Sequence, residues 1–136
     1  MDLRSLLAPR LVAHAHCDIP CGIYDPTAAK IAADTVAKMI EKITGATGSD
    51  DASRNTYIRS IAVKEEHAQI CKKELLILWT DYFKPEHLEK YPKLHDTFWK
   101  AAKLCSKNKQ SVDGKAAADL QAAVKEIADI FWATKK

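Results

Sequence analysis

The chain has 136 residues, 47% of them hydrophobic and 29% charged, with a formal net charge of +3 at neutral pH. This length and balance predict one globular domain with a proper core and exclude a disordered or fibrous chain. The small charge, spread among carboxylates without a dense basic run, excludes nucleic-acid binding, and no apolar run is long enough to cross a membrane.

Residues 1–15 end in Ala13-His14-Ala15, a small-x-small pattern of the kind peptidases cut. Their apolar stretch is short and broken by Pro9 and Arg10, a poor export signal. Two readings stand: a frayed terminus that is retained, or a propeptide whose removal frees the amine of His16. Next comes His16-Cys17-Asp18-Ile19-Pro20-Cys21-Gly22-Ile23-Tyr24-Asp25-Pro26. Two thiols and an imidazole within six residues, beside two prolines and a glycine, form a hook able to wrap one soft metal ion. Alone, Cys-x3-Cys is compatible with zinc, copper, iron or nickel, or with a strained local disulfide. A structural zinc site wants a second pair of side-chain ligands, and Cys71 and Cys105 stand apart in helical segments, where they read as small core residues. Without a disulfide framework, and with so weak a leader, a reducing, cytoplasmic location is expected.

Asp25-Pro26 reads as a helix N-cap followed by proline in the first turn. Ala32, Val36, Met39, Ile40 and Ile43 then recur on one face. Gly45 and Gly48 end that helix in a loop carrying the next cap. A second, long helix is predicted from about Ala52 to Tyr82, its buried line running through Ile58, Ile61, Glu65, Ala68, Cys71, Leu75, Leu78 and Tyr82. Glu65 is the odd member and reads as a boundary residue that reaches solvent. Lys84-Pro85 and Pro92 turn the chain. A third helix presents Leu94, Phe98, Ala101 and Cys105, and polar residues from Ser106 to Gly114 form a connection. A fourth, from about Lys115 to Thr134, aligns Leu120, Val124, Ile127 and Phe131. The predicted fold is all-α, a four-helix bundle with an N-terminal metal-binding hook, divided into a leader (1–15) and one domain (16–136).

The hook is not the only marker. Trp79-Thr80-Asp81-Tyr82-Phe83-Lys84-Pro85, Glu89-Lys90-Tyr91-Pro92-Lys93-Leu94-His95 and the closing Ile130-Phe131-Trp132-Ala133-Thr134-Lys135-Lys136 follow it in order. Together, over all of His16 to Lys136, these segments resemble the nickel-containing superoxide dismutases. The resemblance implies disproportionation of superoxide to dioxygen and hydrogen peroxide on a Ni(II)/Ni(III) couple. It also implies a homohexamer with one nickel per subunit, and a maturation peptidase that removes residues 1–15. The implied metal ligands are His16, Cys17 and Cys21. Amine and backbone nitrogens with two thiolates make a planar donor set that suits nickel(II) or copper(II), and the His16 imidazole approaches along the axis. Such donors make the trivalent state accessible, although thiolates are themselves open to oxidation by peroxide. His16 and Tyr24 are the implied catalytic residues, Tyr24 gating small anions; its other reading is a turn aromatic packed on the bundle. Pro20 is expected to be cis as in the family, and Asp18 to accept backbone N–H bonds. Gly22 permits a backbone that a side chain would block, and Tyr82 is expected near Tyr24, behind the metal.

Two positions depart from the family pattern. Members carry a glutamate in the first helix and an arginine in the second that hydrogen-bond the axial imidazole; the matching positions here are Ala32 and His67. A ligating histidine needs its second nitrogen held, so a replacement contact from His67, Glu65 or Glu66 is expected. The other reading leaves His67 a surface histidine. Lys84 and Lys90 either form a positive rim that draws in superoxide or serve solubility. An alternative function is a nickel- or copper-binding carrier without redox turnover, and a third is a helical interaction protein whose hook is never cleaved.

Overall fold

The structure, a computed structural model, describes residues 22–135. Four long helices and one short one make up most of it: α1 (Thr27–Thr44), α2 (Asp51–Ile77), α3 (Pro85–Lys90), α4 (Leu94–Gln110) and α5 (Gly114–Thr134). Asp25 Oδ1 accepts from the Thr27 N–H at 2.6 Å, but the N-cap position of α1 falls on Pro26, one residue later than expected, so the proline precedes the first helical turn instead of lying in it. Asp50 caps α2 through the Ser53 N–H at 2.9 Å, and Asp113 caps α5 through Lys115 and Ala116. Each supplies an acceptor to a helix end that otherwise leaves N–H groups unpaired.

The long helices close into a ring, α1 lying against α2 and α5, and α4 against the same two. Val36, Ile40, Leu75, Phe98, Leu120, Val124, Ile127 and Phe131 are buried in its interior. Each such side chain contributes about 1.5–3 kcal/mol on burial.

Three expectations change. The buried line of α2 runs through Ser60, Lys64, Ala68, Cys71, Leu75 and Leu78, while Ile58 is 65% exposed and Glu65 lies on the solvent side. The line drawn through apolar types failed because two buried positions hold polar residues with their own partners. Ser60 bonds back to the Thr56 carbonyl. Lys64 donates to the carbonyls of Asn108 and Lys109, at 2.5 and 2.9 Å, and so caps the C-terminus of α4. Burial pulls the Lys64 pKa down, opposed by the nearby Glu65. Second, Ser106 to Gln110 continue α4, and the connection shrinks to 111–113. Asn108 drives this, its amide bonding the carbonyls of Leu104 and Ala116. Third, Cys71 and Cys105 do not stand apart: both are buried free thiols, one on α2 and one on α4, and the neighbouring Cys105 together with burial pushes the Cys71 pKa up.

The long second helix does reach Tyr82, but its last turn, Leu78–Tyr82, is a π-turn closed by Phe83 N to Leu78 O at 3.1 Å. Such turns often mark functional sites. Among the described residues no helix is long and apolar enough to cross a membrane.

Four carboxylates are held below their usual pKa: Asp25 by Thr27, Asp34 by Lys30 and Gln121, Asp50 by Ser53, and Asp113 by Ala116 and Lys107. A depressed folded-state pKa contributes stability that is present above the unfolded value and lost as pH falls through the folded one. Denaturant unfolding is therefore expected to give a lower midpoint at pH 3 than at pH 6. Equal midpoints would show that these caps do not couple protonation to folding.

Candidate metal centre

The hook positions His16, Cys17, Asp18, Pro20 and Cys21 lie outside the described residues, as does the leader. The structure does describe where the chain leaves the hook. Gly22 has φ +96°, a left-handed conformation natural to glycine, and an added Cβ would meet nothing within 4 Å. The constraint there is backbone conformation alone. Tyr24 is only 5% exposed. Its ring centroid lies 5.7 Å from that of Tyr82.

Tyr82 is delivered by the π-turn into an aromatic nest. Phe131 is 4.4 Å away, Phe83 meets the ring edge-on at 5.0 Å, and the imidazole of His87 lies nearly parallel at 5.9 Å. Thr134 Oγ1 donates to the Phe131 carbonyl at 2.7 Å. Its proton is thus used, and the Tyr82 hydroxyl donates to Thr134 Oγ1 at 2.9 Å. Lys135 Nζ donates to the backbone carbonyl of Tyr24 at 3.0 Å. His87 Nδ1 accepts from the Lys84 N–H at 3.0 Å, which leaves the ring proton on Nε2.

These side chains wall a cleft of about 470 Å³, lined by Gly22, Tyr24, Asp81, Tyr82, Lys84, Glu86, His87 and Thr134. Lys84 brings positive charge to it; Lys90 instead sits over the Tyr91 ring at 5.5 Å. A larger hollow of about 590 Å³, between Gly45 and Thr56, is lined by no aromatic residue and by Lys42 as its one ionisable side chain.

Glu65 and Glu66 are exposed and His67 is half-buried, its Nδ1 bonding the Val63 carbonyl at 2.9 Å. That bond puts the proton on Nδ1 and leaves Nε2 able to accept. Fifteen residues separate His67 from Tyr82, roughly 22 Å of helix axis. The structure therefore groups Tyr24 with Tyr82 and sets residues 65–67 at another level of the bundle. Ala32 is buried, at 2% exposure. Among the described residues no cluster of three or more His, Cys, Asp or Glu side chains is placed to hold a metal. The contributions of Thr134, Lys135 and His87 went unread in the sequence. Their only signal was membership of the segments that follow Tyr82 and close the chain.

The sequence profile described as nickel-containing superoxide dismutase matches residues 11–135. The chain belongs to this family. The nickel superoxide dismutases of Streptomyces coelicolor and Streptomyces seoulensis are each 41% identical to it over 134 residues, 98% of both chains. A native 1.30 Å structure of nickel superoxide dismutase superposes with a TM-score of 0.77 at 40% identity, covering 89% of this chain and 100% of that one. The all-α bundle is thus the nickel superoxide dismutase fold, with the tyrosine-walled cleft at the point where the chain enters α1.

Proposed function

We propose that this protein is a nickel-dependent superoxide dismutase that converts superoxide to dioxygen and hydrogen peroxide. The observation that carries the reading is the Tyr24–Tyr82 pair, packed at a charged cleft, with Tyr24 three residues beyond Cys21. The hook's donors fit the metal: two thiolates, an imidazole and an N-terminal amine favour nickel over the oxygen-loving cations. His16, Cys17 and Cys21 would hold it, and when bound it supplies the one-electron couple that two superoxide ions use in turn. Every other contribution comes from this chain. Tyr24 and Tyr82 narrow the approach to small species; Lys84 shares the lining with Asp81 and Glu86, so the selection rests on size rather than on a positive field. Asp18 and Pro20 shape the hook. A hold on the free nitrogen of the His16 imidazole by His67, Glu65 or Glu66, in place of the residues lost at Ala32 and His67, requires the hook to reach the level of residues 65–67, roughly 22 Å of helix axis from Tyr82.

The active form begins at His16, after a peptidase removes residues 1–15, and it works as a homohexamer in the cytoplasm. The small-x-small run Ala13-His14-Ala15 directly ahead of His16 supports the leader reading. The deciding experiment is superoxide decay with nickel-loaded protein starting at His16, compared with nickel-treated full-length chain. Rapid, nickel-dependent decay is expected only in the His16-first form. Nickel binding with no effect on superoxide would make the protein a carrier.

A further inference from the structure

We propose that Thr134 and Lys135, at the C-terminal end of α5, form a clamp that positions both cleft tyrosines; this rests on the superoxide dismutase reading. Three contacts converge on these two residues. Thr134 Oγ1 takes the hydroxyl proton of Tyr82, 52 residues earlier. Its own proton is fixed on the Phe131 carbonyl, so its remaining lone pairs face the phenol in a single donor–acceptor order. Lys135 Nζ reaches the carbonyl of Tyr24, 111 residues earlier.

The lysine does not hang free at the chain end. Its ammonium lies 4.8 Å from the Phe131 ring centroid and 5.7 Å from that of Trp132. Rings so placed hold a cation through their negative faces. The same charge helps to hold the Asp25 carboxyl below its usual pKa, behind the larger effect of the Thr27 hydrogen bonds. One ammonium thus ties the exit from the hook to the end of α5. Because the two tyrosines also touch each other, a backbone hold on one and a hydroxyl hold on the other fix their relative placement. A one-ångström error in such placement is costly in a reaction that depends on access and orientation. Thr134 and Lys135 touch no reacting atom in this scheme; they are positioning residues.

The test uses the nickel-free and nickel-loaded His16-first protein, each as wild type, Thr134→Val, Thr134→Ser, Lys135→Met and Lys135→Arg. Valine keeps the shape of threonine and loses the oxygen; methionine keeps the stem of lysine and loses the donor. In nickel-free protein, amide hydrogen exchange over 22–27 is expected to quicken at least about tenfold in Lys135→Met, with the interior of α2 and α5 unchanged. In loaded protein, Thr134→Val and Lys135→Met are expected to lower kcat several-fold at equal nickel content, while serine and arginine restore it. Unchanged exchange in Lys135→Met overturns the clamp. So does quickened exchange with full activity, which would show a hold without consequence for the reaction. An inactive wild type would instead sink the dismutase reading, and the exchange result would still decide whether the hold exists.

Discussion

Cys21→Ser, in nickel-treated protein starting at His16, is expected to lower superoxide decay by at least about a thousandfold, or ~4 kcal/mol of transition-state stabilisation. A serine hydroxyl stays protonated at neutral pH, whereas a metal-bound thiol gives up its proton. The substitution therefore removes both a negative charge and a soft donor from the hook. Cys17→Ser should do the same. The informative control is Cys71→Ala. Cys71 and Cys105 are buried free thiols on α2 and α4, away from the hook in sequence, so losing one should leave nickel at one ion per chain. If Cys71→Ala abolishes nickel binding and Cys21→Ser does not, the metal is held by the core pair and the hook assignment is wrong.

Phe131→Ala is expected to have the largest effect on stability. Its ring is fully buried, lies tilted against Tyr82 at 4.4 Å and meets Trp132 edge-on at 5.0 Å. Truncating a phenylalanine in such a place costs about 3–5 kcal/mol, from lost transfer free energy and the cavity left behind. For a domain of this size that corresponds to a fall in Tm of roughly 10–20 °C. The same cavity opens beneath Tyr82, so activity should fall even where the protein remains folded. Thermal unfolding of the nickel-free chain measures the first effect, with Phe131→Leu as the milder comparison. A shift of under 3 °C would show that the ring is not a keystone of the core.

How much of this was legible beforehand differs from element to element. The apolar faces of α1, α4 and α5 were read correctly where Val36, Ile40, Phe98, Cys105, Leu120, Ile127 and Phe131 recur at helical spacing, and the reading of α4 stopped short at the buried, polar Asn108. In α2 the method failed where it should. Hydrophobic periodicity assumes that buried means apolar, yet Lys64 is buried as the cap of another helix, and its partners lie 44 and 45 residues further on. The same blindness parted Cys71 from Cys105, each unremarkable within its own helix.

By itself the sequence determined the helical class and most of the core and pointed to the hook, because these depend on short-range spacing and on the donor chemistry of adjacent residues; the Tyr24–Tyr82 contact was expected from the family resemblance and is present. Only the tertiary structure decided what else surrounds the hook's exit. The Thr134 and Lys135 holds and the stacked His87 join segments that lie far apart along the chain. Such contacts arise from how four helices close into a ring, and the spacing of residues along one helix carries no record of which residue a different helix will set beside them.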